Sequence, residues 1–151
     1  MKKSIYYALF TALFAAAAPI KAGTGSDLLE ERYKAALNEM VQQVRHEQDP
    51  EAKRAILRHF IDHMSDGLQK AEGMESISEP DRKTLHAVAG KFYAYQAELN
   101  GQAGYAPVPN ANLDQFAGYI QQGMEQAPMG GGIYISGGAL IVILILLIIL
   151  L

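Results

Sequence analysis

The sequence predicts an all-α protein: a small three- to four-helix antiparallel bundle followed by a single C-terminal transmembrane helix. Two observations predict the bundle, since apolar residues recur at three- and four-residue steps and capping residues flank each such repeat. A third predicts the membrane segment, because residues 126–151 carry no charge and residues 139–151 are all apolar. No segment of alternating apolar and polar residues indicates a β-strand.

The first two helices have clear start signals. Ser26-Asp27 begins the first, and Asp49-Pro50 begins the second, because a capping carboxylate and a proline in the first turn favour a helix start. Gly73 is the expected end of the second helix. The residues expected to face the core are Leu29, Tyr33, Ala36, Leu37, Met40, Val41 and Val44 in the first helix, and Ile56, Leu57, Phe60, Ile61, Met64 and Leu68 in the second.

The third helix is predicted from a capping box and a terminal glycine. Ser78 and Asp81 have capping-box spacing at its start, and Asn100-Gly101 ends it. Its core-facing residues are Leu85, Val88, Ala89, Phe92, Tyr95 and Leu99. Short connections between three amphipathic helices predict an antiparallel arrangement.

A strap rich in proline and glycine is expected at residues 102–111, followed by a shorter fourth helix. Asn112 is predicted to cap that helix, with Gln115 at the spacing that returns the bond. Gly118 and Gly123 should each weaken it by roughly 1 kcal/mol relative to alanine. Its predicted apolar side consists of Leu113, Phe116, Tyr119, Ile120 and Met124.

The N-terminus has the composition of a secretory signal peptide. Two lysines follow Met1, residues 5–20 are apolar, and Ala22 is the expected last residue before cleavage. An uncleaved N-terminal anchor is the alternative. Without residues 1–22 the chain has 10 basic and 16 acidic residues, a net charge of −6. Such a chain is not attracted to phosphate backbones, so nucleic acid is not an expected partner.

Residues 133–151, from Ile133 to Leu151, are predicted to cross a membrane once. At about 1.5 Å per residue this segment reaches about 28 Å, close to the hydrocarbon thickness of a bilayer. If the N-terminal signal exports the chain, the domain lies on the non-cytoplasmic side, in the periplasm or at the cell surface. The predicted organisation is therefore a signal peptide at 1–22, a three-helix core at 23–101, the strap and fourth helix at 102–128, a glycine linker at 129–132 and the membrane helix.

Two other interpretations of the C-terminal segment stay open. Small residues followed by a terminal apolar segment also form the pattern of a removable lipid-anchor signal. The segment could alternatively be membrane-active or oligomerising, with the bundle delivering it. Under the first alternative the tail is removed from the mature protein, and under the second it is itself the effector.

One group of titratable side chains has a spacing that metal ions use. His59, Asp62, His63 and Asp66 lie on one face of the second helix, and two imidazoles four residues apart can chelate zinc, copper or nickel. A solvated helix face is the simpler interpretation, because a fourth ligand and the HExxH glutamate are both lacking. His46 and His86 are expected to have structural roles, the former at a helix C-terminus.

No enzymatic motif accompanies these residues. The absence of cysteine excludes disulfides, thiolate metal sites and a cysteine nucleophile, and no G-x-S-x-G, S-x-x-K or P-loop pattern is present. We therefore expect no catalytic residues and no cofactor.

Tyr93, Tyr95, Tyr105 and Tyr119 concentrate in the second half of the domain, where they either pack in the core or form a contact surface. The expected function is a non-enzymatic interaction or scaffold module of the bacterial envelope. It would bind a protein partner or associate with itself, and a metal-binding envelope protein using His59 and His63 is the alternative.

Overall fold

The computed structural model describes residues 25–75 and 77–126, and every regular element in them is helical. Helix α1 spans Gly25–His46, α2 Pro50–Glu72, α3 Glu79–Asn100 and α4 Leu113–Glu125, with a 3-10 turn at Asn110–Asn112. The predicted all-α helical bundle is confirmed for this part of the chain. The signal peptide predicted at 1–22, the linker at 129–132 and the membrane helix at 133–151 lie outside the described residues. Of the helices described, none is both long enough and apolar enough to cross a bilayer.

The four helices alternate in direction. Short connections after α1 and after α2 turn the chain back on itself, and α2 packs on both α1 and α3. Helix α4 packs on α1 and runs antiparallel to it, because Asp114 meets Lys53 just beyond the end of α1 whereas Gln121 meets Asn38 earlier in α1. The fourth helix has 13 residues against 22 in α3. It therefore covers only part of the length of the other three.

The core sits where the apolar faces of all four helices meet. The apolar residues predicted for α3 are all buried. Those predicted for α1 and α2 are also buried, except that Ala36, Ile56 and Phe60 are partly exposed. The side chain of Leu29 lies outside the described part of the structure. Tyr119, predicted to be part of the apolar side of α4, is instead 47% exposed, because Ala117 takes the inward position beside Phe116. The largest side chains that are almost completely buried are Leu37, Val44, Leu57, Ile61, Leu68, Leu85, Val88, Phe92, Leu99, Leu113, Ile120 and Met124. Each contributes about 1.5–3 kcal/mol relative to exposure to water.

Two predicted helix starts are confirmed. Asp49 accepts a hydrogen bond from the Glu51 amide at 3.1 Å, and Ser78 accepts one from the Asp81 amide at 3.3 Å. These side chains satisfy amide groups that the first helical turn leaves unpaired.

The predicted cap of α4 is wrong. Asn112 makes no side-chain capping bond, and its own amide donates to the carbonyl of Pro109 at 2.9 Å inside the 3-10 turn. A capping side chain needs an extended backbone, and Asn112 has φ −106° and ψ 5°. The predicted return bond from Gln115 would use the Asn112 amide, and that amide is already bonded to Pro109 in the tight turn that leads into α4.

Candidate functional site

The four residues of the predicted metal site lie on α2, and the fold brings two of them together. The imidazole rings of His59 and His63 are edge to face with centroids 4.1 Å apart. Asp62 accepts a hydrogen bond from Gln96 Nε2 at 2.7 Å, which directs its carboxylate towards α3, and Asp66 is exposed. Within residues 25–75 and 77–126, no three His, Asp or Glu side chains are close enough to share a metal ion. The metal hypothesis therefore rests on two imidazoles.

Burial lowers the pKa of His59, the neighbouring His63 lowers it further, and the carboxylate of Asp62 acts in the opposite direction. A lowered pKa favours the neutral imidazole, which is the form that binds metal ions. His59 is nevertheless exposed, and His63 is half-buried.

The other two histidines lie where the sequence predicts. His46 is exposed in the last turn of α1, where a cation interacts favourably with the helix C-terminus. His86 is exposed on α3, and its Nδ1 lies 3.6 Å from Oε1 of Glu72 near the end of α2. His46 therefore lies at the end of its own helix, and His86 contacts the end of α2.

A continuous column of aromatic rings links α2, α3 and α4. Phe60 lies 6.2 Å from Phe92 between ring centroids, and Phe92 lies 6.1 Å from Tyr95. Tyr95 then contacts Phe116 at 6.4 Å and Tyr119 at 5.4 Å, both edge to face. Such pairs contribute about 0.5–1.5 kcal/mol each beyond the area they bury. The column fills the space between α3 and α4.

The column ends at Tyr119, whose ring lies against Tyr95. We call these two residues the tyrosine surface, together with Tyr105 and Glu98, whose charges act on the pKa of Tyr119. Tyr95 is buried, whereas Tyr119 is 47% exposed and Tyr105, in the strap, is 48% exposed. Burial raises the pKa of Tyr119, and the charges of Glu98 and Tyr105 raise it further. Burial, Tyr119 and Glu98 likewise raise the pKa of Tyr95. Both phenols therefore stay protonated at neutral pH.

Tyr93 is exposed to a similar extent, 49%, but it does not belong to this surface. It stands two residues before Tyr95, which corresponds to about 200° around an α-helix. Tyr93 therefore faces away from the aromatic column and offers a matched comparison for the tyrosine surface.

The strap that carries Tyr105 is held in place by an arginine that the sequence analysis did not single out. From α2, the guanidinium of Arg54 donates to the carbonyls of Leu99 at 2.7 Å and Val108 at 2.6 Å, and to Oδ1 of Asn110 at 3.0 Å. These bonds tie the end of α3 and the second half of the strap to α2. No local sequence signal points to this role, because the partners of Arg54 lie 45 to 56 residues away along the chain.

The turn that begins the strap depends on Gly101. Its φ of 68° is left-handed, and the amide of Gln102 donates to the carbonyl of Ala97 at 2.8 Å, closing the end of α3. A Cβ at Gly101 would lie 2.7 Å from Cδ of Pro107. Glycine is therefore required both for the backbone conformation and for the close approach of the strap.

Comparison with protein-family models, with curated proteins and with solved structures finds no match to this chain. Among the described residues, the paired histidines on α2 offer two metal ligands, while the tyrosine surface offers a rigid and partly exposed contact area.

Proposed function

We propose that this chain is an exported, membrane-anchored, non-enzymatic interaction module of the bacterial envelope. Its N-terminal segment would direct export, residues 133–151 would tether it to the membrane, and the helical bundle would stand on the non-cytoplasmic side. The observation that carries the interaction role is the tyrosine surface, where the half-exposed ring of Tyr119 packs on the buried ring of Tyr95.

The chemistry of the tyrosine surface suits binding to another polypeptide. Tyrosine supplies a large amphipathic area and loses little conformational entropy when it is bound. At this surface the entropy loss is smaller still, because Tyr119 already packs against Tyr95 and Phe116. A surface ordered before binding keeps more of its contact energy as affinity.

Site-specific photo-crosslinking in cells tests the interaction role. A photoreactive amino acid is placed singly at exposed positions on each helix and on the strap of the full chain. An interaction module should give discrete adducts, with another protein or with a second copy, at a contiguous set of positions. If no position gives an adduct, the interaction role is wrong.

A metal-binding function is the second candidate, favoured by the 4.1 Å separation of the His59 and His63 rings. Titration of the full chain with Zn²⁺ or Cu²⁺ should show saturable binding that His59→Ala and His63→Ala each abolish. His46→Ala, which removes an exposed histidine from α1, serves as the control. Binding that both histidine variants retain would remove this candidate.

A third candidate assigns the function to the C-terminal segment, as a removable anchor signal or as a membrane-active element. Replacing residues 133–151 by an unrelated membrane span of equal length separates it from a tether. A tether tolerates the replacement, whereas a specific membrane-active segment does not.

A further inference from the structure

The outer face of α2 carries two imidazoles at a spacing that one metal ion can use. His59 is exposed and His63 is half-buried, and their ring centroids lie 4.1 Å apart. Residues four positions apart in an α-helix lie one above the other on the same face, so a single ion can contact both rings. The carboxylate of Asp62 accepts a hydrogen bond from Gln96 and is directed towards α3. One chain therefore offers the ion two imidazole ligands.

Two imidazoles leave the coordination of a zinc ion incomplete. Structural zinc sites have four protein ligands in a tetrahedral arrangement. In the part of the chain that the structure describes, no group of three His, Asp or Glu side chains could hold an ion. Residues 1–24 and 127–151 contain no His, Cys, Asp or Glu. A zinc ion bound by one copy would therefore keep water at its remaining positions.

A second copy of the chain can supply the missing ligands. In a two-fold dimer the same surface patch meets itself, so each copy contributes the same side chains. His59 and His63 from two copies make four imidazoles, which is a complete tetrahedral set for zinc. Each pair is held on one helix, so binding of the first imidazole brings the second to the ion at a high effective concentration.

The residues beside the pair leave room for another helix. Ala55 lies four residues before His59 and is exposed, and Ala52 lies seven residues before it and is half-buried. Spacings of four and seven residues place both alanines on the same face as the imidazoles. Their short side chains permit the close approach that a shared ion requires.

The charges of α2 also permit two copies to approach. The helix carries equal numbers of basic and acidic residues, namely Lys53, Arg54, Arg58 and Lys70 against Glu51, Asp62, Asp66 and Glu72. This helix is therefore balanced, although the chain without residues 1–22 has a net charge of −6. A zinc ion at the pair adds positive charge on the face that carries Asp66, and so favours the contact.

We infer that His59 and His63 of two copies of this chain bind one zinc ion together, so that the ion bridges the copies through four imidazoles. This inference rests on metal binding, the second candidate function, and names its ion and its partner. Self-association of the module then depends on zinc.

Native mass spectrometry of the full chain in a neutral detergent tests the inference, because it counts chains and ions in the same complex. The protein is first freed of metal with a chelator. Addition of Zn²⁺ at half the chain concentration should produce a dimer that carries a single ion, and the chelator should return it to the monomer. Co²⁺ in place of Zn²⁺ should give the strong visible absorption of a tetrahedral site, whereas a site completed by water in six-coordinate geometry absorbs weakly.

Matched variants assign the bridge to the pair. His59→Ala and His63→Gln should each abolish the zinc-dependent dimer, and His46→Ala, which removes an exposed histidine from α1, should retain it. Far-UV circular dichroism verifies that every variant is folded. Because His59 is exposed, its replacement tests the bridge without disturbing the core.

The outcomes separate failure of the bridge from failure of metal binding. Zinc binding that depends on His59 and His63 but leaves the chain monomeric would overturn the bridge and leave the metal-binding candidate standing. A dimer that forms equally well without zinc would also overturn the bridge. Absence of zinc binding, or binding that both histidine variants retain, would remove both the bridge and the metal-binding candidate.

Discussion

Replacing Gly123 by alanine should leave the protein less stable than the same replacement at Gly118, although both residues lie in α4. A Cβ at Gly123 would overlap the hydroxyl oxygen of Tyr95. At Gly118, no atom lies within 4 Å of the added carbon. Tyr95 cannot move aside easily, because Phe92, Phe116 and Tyr119 surround its ring.

The magnitude follows from two opposing contributions. Alanine stabilises a helix relative to glycine by about 1 kcal/mol, and this gain applies at both positions. Overpacking a well-filled core costs about 1–3 kcal/mol, and this cost applies at Gly123 alone. The propensity gain cancels when the two variants are compared, so Gly123→Ala should be less stable than Gly118→Ala by about 1–3 kcal/mol.

Urea unfolding of the fragment 23–128, followed by far-UV circular dichroism, measures this difference. The fragment contains every buried residue of the described core and is expected to fold alone. Gly118→Ala should shift the midpoint to higher urea, and Gly123→Ala should shift it lower relative to Gly118→Ala. Equal shifts in the two variants would refute the close packing of Tyr95 against α4.

Three further predictions use the same fragment. Arg54→Ala should lower the free energy of unfolding by about 2–4 kcal/mol, because three charged hydrogen bonds are lost. Arg58 makes one exposed bond to a side chain, so Arg58→Ala should cost less than about 1 kcal/mol. Equal costs would contradict the anchoring role of Arg54. Gly101→Ala should cost about 2 kcal/mol from strain, and a neutral effect in urea unfolding would contradict the left-handed turn. An NMR titration should place the pKa of His59 below its ordinary value of about 6.5. The contribution of the neutral His59 imidazole to stability is then present above that pH and falls as the pH drops through the folded-state pKa. A raised pKa would contradict burial as the main influence on His59.

The helices of the bundle could be predicted because local signals and packing agree. Asp49 and Ser78 cap the helices that the sequence assigns to them, and Gly101 ends α3 in a left-handed conformation. All six apolar residues predicted for α3 are buried because three- and four-residue spacing places them on one face.

The features that sequence reasoning missed all depend on contacts between distant residues. The bonds of Arg54 join residues 45 to 56 positions apart, and no local pattern encodes them. The outward position of Tyr119 and the requirement for glycine at Gly123 follow from the packing of α4 on Tyr95. The turn that displaces Asn112 from its predicted capping role follows from the path of the strap across α2 and α4.

The candidate site was predictable only in its residue types. The clustering of tyrosines in the second half of the domain suggested either core packing or a contact surface, and the structure divides them between the two. Tyr95 packs inside, whereas Tyr93, Tyr105 and Tyr119 are about half exposed. Which exposed ring joins the aromatic column could not be read from spacing, because Tyr119 meets Tyr95 only through the packing of α4 in the fold.

The central proposal, an exported domain held at a membrane, is tested most directly by the intact mass of the protein extracted from the membrane fraction of its native cells. One spectrum reports on both ends of the chain. A mass equal to that of residues 23–151 is the predicted result, since it requires removal of the N-terminal segment and retention of the C-terminal one. A mass that includes residues 1–22, or one that lacks the segment after residue 132, would contradict the proposal.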